Sequence, residues 1–489
     1  MPESPTDPAV VDALRREVEA ARERMRRAIA EARGPEAWSA AQTAISARGR
    51  FGVRLGLERS VALLEALGHP ERGVRGALIA GTNGKGSVSA LVSAALDAGG
   101  VRHGSTPKPH LISYRERIRI NGEPLAPLQF AVAVDRALAA ADQVEPLVGP
   151  VTEFELLAGV VFDGFRSAGI DRAVVEVGLG GRLDAMHAWD GGVAVVTNVG
   201  LDHQEYLGDT IELIAREKAA IIVSGDRAVT GASERGGALR VVRERAHEVG
   251  APLTVATHGE VRPRGRDGIE VDLPRLGRVH VGLLGVHQGQ NAAVALATLD
   301  AMRDAGIVTV SDAAIRDGFA SVRWPGRMEL ISRPFGSADA RDLLLDGAHN
   351  EDGAVSLAAG IRDLAPLLAD ADGRVGETPL TLVIAAMSDK SIADIFRALA
   401  QAEEMRRANV ICTSVGDPRS ASVDTLIAAA RAAGLGAQIS GAVDPVQALD
   451  AAAVARGAVV VAGSLYLVGA VRERLMRAGR IQNDGSLDK

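Results

Sequence analysis

The chain has 489 residues, 47% hydrophobic and 24% charged, enough to bury the cores of two or three domains. A net charge of -7 excludes a nucleic-acid partner held by general basicity, though not a local basic pocket. The single cysteine, Cys412, excludes an internal disulfide, and no apolar run reaches the length of a membrane span.

From the amino end, Met1–Pro8 combines prolines with acidic residues and is expected to be disordered. Val10–Arg33, rich in Ala, Arg and Glu at helical spacing, predicts an amphipathic, exposed helix, a partner contact or, as the leading reading, a solvated extension. Phe51–Leu67 predicts a loop leading into a second helix. From Gly76 onward strands and helices alternate, the pattern of a parallel sheet wrapped by helices. Strands are expected at Ala77–Ala80, Ala173–Val177 and Val193–Val199. Helices are expected at Ser87–Ala98, Leu128–Ala141, Thr152–Ala168, Thr210–Val223 and Gly236–Val249. Pro252–Gly282 is alternating and rich in Gly and Pro, which predicts a small antiparallel excursion. Helices follow at Gln290–Ala305 and Asp312–Phe319, and Pro325-Gly326 then marks a domain boundary. Beyond it a second series begins, with strands at Leu343–Leu345, Leu382–Ala385, Val410–Thr413 and Ala458–Val461. Cys412 lies in an apolar run, as a buried and inert thiol would. The amino end lacks a signal-peptide core, so a cytoplasmic protein is expected.

The stretch that organises the rest is Ala77–Ser89, where an apolar run stops at Gly81 and Val88–Leu96 reads as an Ala-rich helix. Gly81, Gly84 and Gly86 let several backbone N–H groups point at one anion. The helix start adds partial positive charge, Lys85 a full one, and Ser87 a hydroxyl suited to Mg²⁺. The spacing departs from the strict Walker form, because Gly86 separates the lysine from the serine.

Other candidates stand at the carboxyl ends of expected strands, where open α/β sheets place ligands. Glu176 interrupts an apolar strand, and a carboxylate there needs a cation or a salt bridge, for which Arg182 is the nearby partner. His203, beside Asp202, reads either as a metal ligand or as a polar loop residue. Lys218, alone, reads as a surface lysine. Asn291 reads first as an N-cap or early helix residue, and Asp346 and His349 follow a strand and precede a helix, a position suited to nucleotide contacts.

Taken together these segments resemble the folylpolyglutamate synthase/dihydrofolate synthase family of the Mur ligase superfamily. The resemblance rests on Gly81–Ser87, on Pro109-His110-Leu111 followed by Glu116-Arg117-Ile118, and on Thr152–Glu155 and Glu176–Asp184. It continues through Thr197–Gly208, Glu217–Ile222, His287–Asn291, Trp324–Arg327, Asp346–Asn350 and Gly463–Gly469, in the family's order. It implies an α/β fold: a P-loop-type, mainly parallel sheet in an N-terminal ATPase domain, plus a smaller Rossmann-like C-terminal domain. The expected division is a partly helical N-terminal extension at 1–45, the ATP-binding domain at 46–325 and the C-terminal domain at 326–489.

The implied reaction is ATP-dependent amide formation between L-glutamate and folate or dihydropteroate through an acyl phosphate, by a monomer. By the same resemblance Thr82, Asn83, Gly84, Lys85, Gly86 and Ser87 hold the ATP phosphates, Asn291 contacts adenine, Arg327 the phosphates and Asp346 the ribose. Ser87, Glu176 and His203 correspond to ligands of two Mg²⁺ ions, Lys218 to a carbamylated lysine, and His349 to a residue near the γ-phosphate. Lys85, Lys218 and His349 are thus the expected catalytic residues, and Lys108, Thr152, Phe154, Arg182 and Asp184 the substrate side. Three departures stand out. Lys108 occupies the place of a serine that ligates Mg²⁺ in the family, Met186-His187 replaces Thr-Asn after Asp184-Ala185, and Ala220 replaces a glycine after Lys218-Ala219.

Overall fold

The apolar run that ends at Gly81 is strand β1 (Arg75–Ala80). Around it lie β2 (Gly104–Thr106), β3 (Arg119–Ile120), β4 (Glu123–Pro124), β5 (Arg172–Glu176), β6 (Gly192–Val196), β7 (Arg227–Thr230) and β8 (Leu253–Val255). In the computed structural model, which describes residues 8–50, 52 and 54–487, their order is β4-β3-β2-β5-β1-β6-β7-β8. The strands from β2 to β8 in that order run parallel, while β3 and β4 add an antiparallel hairpin at one edge.

Successive side chains of a strand point to opposite faces. Leu78 and Ala80 of β1 enter one hydrophobic cluster, Ala77 and Ile79 another, and all four are buried. Helices cover both faces, which is why this strand reads as continuously apolar.

The helices Pro8–Ala30 and Gly34–Gly49 belong to the first of those clusters. Val18, Ala21, Met25 and Ala28 share it with Trp38, Ile45 and Phe130, and buried Arg22 donates to Asp135 at 2.8 Å. The solvated extension expected at Val10–Arg33 is therefore overturned. Its apolar stripe is covered mainly by the next helix, Gly34–Gly49, and also by the helix Pro127–Val148, which lies a hundred or so residues further along the chain. Apart from Pro8, the disorder expected over Met1–Pro8 falls outside the described residues, as do Phe51 and Val53 of the loop expected before the helix Glu58–Ala66.

The antiparallel excursion begins later than expected. Leu253–Val255 joins the main sheet as its parallel edge, and only β9 (Val261–Pro263), β10 (Ile269–Leu273) and β11 (Gly277–Val281) form an antiparallel sheet. A further sheet holds β12 (Glu329–Ser332), β13 (Asp342–Leu345), β14 (Thr381–Ile384), β15 (Asn409–Thr413), β16 (Gln438–Ala442) and β17 (Val459–Ala462). Its order is β12-β13-β17-β14-β15-β16, parallel except for β12. β12 and β16 are half-exposed edge strands without an apolar run, so periodicity does not mark them. Cys412 lies inside this sheet's core, where burial pushes its thiol up to about 12. The carboxyl ends of β1, β2, β5 and β6 meet those of β13 and β17 across one cleft.

Candidate active site

The loop after β1 is pinned from the neighbouring strand. Thr82 N–H donates to Asn198 O at 3.1 Å, Asn83 N–H to Asn198 Oδ1 at 2.8 Å, and Thr197 Oγ1 to Asn83 O at 2.6 Å. Gly84 takes the left-handed conformation, φ +82°, and a Cβ there would stand 2.4 Å from Asn291 Oδ1. The helix Lys85–Ala98 starts immediately, and its first N–H groups, at Lys85, Gly86 and Ser87, precede the first helical bond from Val88 to Gly84 O. This is a helix N-terminus open to an anion. Lys85 Nζ rests on Gly81 O at 2.7 Å and Thr82 O at 3.1 Å, and burial lowers its pKa.

Glu176 ends β5 fully buried, and its Oε1 has no hydrogen-bond partner. Its Oε2 receives only a long bond, 3.4 Å, from the N–H of Lys108. Burial raises this carboxyl to about 7 against the pull of Lys85. Arg182, the partner suggested by sequence, turns away and pairs with Glu217 at 2.9 Å. Lys218 is buried, not a surface lysine, and its Nζ donates to Gly81 O at 3.2 Å. Burial and the neighbouring Lys85 lower it to about 7, so neutral amine is plentiful near neutrality.

From the other sheet, β13 delivers Asp346, whose oxygens accept 2.8 Å bonds from the N–H groups of Met328 and Ala348. Those bonds fix the Asp346–Asn350 turn, and burial raises the carboxyl's pKa. His349 Nδ1 lies 2.7 Å from Gly347 O and must carry the hydrogen, which leaves Nε2 as the basic nitrogen, 3.8 Å from Asp202 Oδ2. Burial lowers His349 and His203 to about 4 each. Asp202 joins the two sheets: it receives Lys390 Nζ at 2.5 Å and Asn350 Nδ2 at 3.2 Å. Burial opposes its charge, but His203, Lys390 and His349 outweigh that and hold it well below the usual carboxylate range. Asn350 also exchanges amide bonds with Asn83 at 3.0 and 3.3 Å and caps the helix Glu351–Leu364.

A cavity of about 270 Å³ brings most of the predicted site together. Thr82 through Ser87, Lys108, Phe154, Glu176, His203 and Lys218 line it from the first sheet. Asn291, in the first turn of the helix Gln288–Asp304, lines it with Arg327, Asp346 and His349. A second cavity of about 640 Å³ shares Arg117, Phe154, Gly178, Leu179, His203 and Tyr466 with the first. Thr152 and Asp184 line only this one. Thr152 opens the helix Glu153–Ser167, and its N–H and hydroxyl donate to Glu155 at 2.8 and 2.9 Å. Asp184 accepts from the N–H groups of Gly178, Leu179 and Met186, which shapes the loop after β5. Arg182 lines neither cavity.

Sequence reasoning passed over Lys390, Asn350 and Arg117 as site residues. Arg117 Nε donates to His110 Nδ1 at 2.9 Å, and its guanidinium lies over Tyr114 and Phe154. The signal was in the motif itself: Glu116 accepts from the N–H groups of Leu111, Ile112 and Ser113 at 2.8 to 2.9 Å, folding Pro109–Ser113 back onto Arg117. Among the described residues no three His, Cys, Asp or Glu side chains converge as a metal cage. The unpartnered Glu176 oxygen and the Ser87 hydroxyl nonetheless fit a hard cation that draws its other ligands from phosphate and water.

Known proteins share this architecture. Residues 336–475 match the family model described as the C-terminal domain of dihydrofolate synthetase. The chain is 32% identical over 453 residues to the dihydrofolate synthase/folylpolyglutamate synthase of Bacillus subtilis, covering 90% of this chain and 99% of that protein. A solved structure of Escherichia coli FolC in complex with DHPP and ADP superposes with a TM-score of 0.75 at 29% identity, over 90% of this chain and 98% of that one. A bifunctional folylpolyglutamate synthase/dihydrofolate synthase with Mn, AMPPNP and L-glutamate bound gives 0.73 at 28% identity, over the same shares. With fold, cleft and relatives in agreement, the chain belongs to the folylpolyglutamate synthase/dihydrofolate synthase family.

Proposed function

We infer that this chain is an ATP-dependent ligase joining L-glutamate to a folate-type acid, dihydropteroate or a reduced folate, through an acyl phosphate. The observation that carries the reading is the meeting, in one cleft, of an anion-binding helix start, a buried carboxylate with a free oxygen, and a buried lysine. The acid's ring system is assigned to the larger cavity, among Tyr114, Phe154 and Tyr466, with its carboxylate toward Lys85. That carboxylate attacks the γ-phosphorus, the bond to the β–γ bridging oxygen breaks, and ADP leaves. The amine of glutamate then attacks the acyl carbon, gives up a proton, and phosphate departs with one oxygen of the acid. In-line phosphoryl transfer is mostly positioning and charge stabilisation.

Lys85 and the N–H groups of Gly84–Ser87 are assigned to the phosphates, Asn291 to adenine, Asp346 to the ribose and Arg327 to phosphate. Ser87, Glu176 and His203 would hold Mg²⁺, two ions in this reading, which supplies charge neutralisation on the transferring phosphoryl. Lys218, as a neutral amine, is able to take up CO₂ and become a carbamate anion facing the same cleft. The division proposed is between residues through 325 and residues from 326, with the site between them. Among the described residues no helix is long and apolar enough to cross a membrane, and we place the chain in the cytoplasm as a monomer without a nucleic-acid partner.

The test is product analysis with Mg²⁺-ATP and L-glutamate, comparing dihydropteroate with tetrahydrofolate. Dihydrofolate formed from the first identifies a dihydrofolate synthase; lengthened tetrahydrofolate identifies a polyglutamylating enzyme. ATP bound but no amide from either acid would overturn the reading.

A further inference from the structure

Lys108 lines the smaller cavity beside Gly178, a residue both cavities share, directly before Pro109 and with its N–H on Glu176. The residue is half-buried, and no carboxylate among the described residues lies within ion-pair distance of its ammonium. The two nearest acids are already engaged. Glu176 Oε2 takes the backbone N–H of Lys108, and Asp184 is occupied by three backbone N–H groups of its own loop. Lys108 Nζ stands 3.6 Å from the position a Cβ on Gly178 would occupy, over the strip of backbone that both cavities share.

A second cation lines the same cavity. Arg117 is buried, and its Nη1 has no hydrogen-bond partner. Unlike Lys108, it lines both cavities, and no carboxylate among the described residues lies within ion-pair distance of it. Arg117 has a histidine nitrogen and two aromatic rings beside it but no carboxylate, and the acids near Lys108 are bonded elsewhere, so an anion between the two cations is favoured. An acid whose rings occupy the larger cavity and whose carboxylate reaches toward Lys85 passes between them.

We propose that Lys108 is the positioning cation that receives the acceptor carboxylate of the acid, with Arg117 behind it, and so sets the enzyme's requirement for an ionised acid. This rests on the ligase reading above. The lysine, unlike the hydroxyl residue it replaces, brings its own charge to this point, so acid binding does not wait for a metal ion.

The experiment is calorimetric binding to the full chain without ATP or divalent cation, using dihydropteroate and its neutral carboxamide. The wild type is expected to favour the carboxylate, and Lys108→Met to weaken dihydropteroate about tenfold or more while leaving the carboxamide within about twofold. Lys108→Arg, which keeps the charge, is expected to retain the discrimination, and ADP affinity checks that each variant is folded. Equal loss for both compounds, no loss for either, or an arginine variant as defective as the methionine one would overturn the proposal. Ligation by the wild type is measured beside it: its absence would sink the ligase reading, whereas its presence with no selective loss in Lys108→Met would sink only the role of Lys108.

Discussion

Residue by residue, the site depends on burial that lysine and glutamate rarely tolerate. Lys85 is held by two loop carbonyls and lines the cleft. Lys85→Ala is expected to lower kcat by about a hundredfold or more while the melting temperature stays close to wild type. An active variant would remove the lysine from the phosphate site. Lys218 makes a sharper test through pH. Its folded pKa is lowered to about 7, so the neutral amine that CO₂ requires grows as pH rises through that value. In ¹³C-bicarbonate, a carbamate signal should rise between about pH 6 and about pH 8 and be missing in Lys218→Ala. That variant should be inactive and partly rescued by short carboxylic acids; wild-type activity without rescue would dismiss the carbamate.

At the scale of elements, the phosphate loop shows what glycine is for. Gly84→Ala meets both a left-handed φ of +82° and Asn291 Oδ1 at 2.4 Å. It should cost about 1–2 kcal/mol and raise the KM for ATP several-fold. Gly100, at φ +67° with nothing within 4 Å, is the control: its alanine variant should lose stability alone, by thermal denaturation. Strands buried on both faces were legible because continuous apolar runs such as Leu78–Ala80 and Val193–Val196 have no other use in so short a span. The helix Gly34–Gly49 was not, since its buried face is mostly alanine and stands out little from the small polar residues opposite. The stripe on Pro8–Ala30 was visible, but its main partner, the helix Gly34–Gly49, was the one that periodicity did not mark. Site residues at strand ends were legible because strand and breaker frame them. Lys390 lies in a loop whose contact with Asp202 spans the fold, whereas Arg117, in the short turn Tyr114–Arg117, bonds His110 only seven residues away.

Across the whole molecule, the two main sheets are joined by charge. Lys390 meets Asp202 at 2.5 Å with side-chain exposures of only 10% and 8%. Arg266, between β9 and β10 of the small antiparallel sheet, likewise forks onto Asp342 of β13 at 2.5 and 2.8 Å. Removing one member of a buried pair leaves the other unpaired, so Asp202→Asn should cost about 3 kcal/mol and enlarge the ligand-free radius of gyration in solution scattering. Unchanged melting and an unchanged radius would show that the pair does not hold the sheets together. Such a cleft must open to admit substrates and close to exclude water. The most direct test of the chemistry assigned to it is oxygen transfer. With the acid's carboxylate labelled with ¹⁸O and Mg²⁺-ATP and L-glutamate supplied, the released phosphate should carry one labelled oxygen for each amide formed. Amide formation accompanied by unlabelled phosphate would contradict the acyl phosphate, and with it the roles given to Lys85, Glu176 and Lys218.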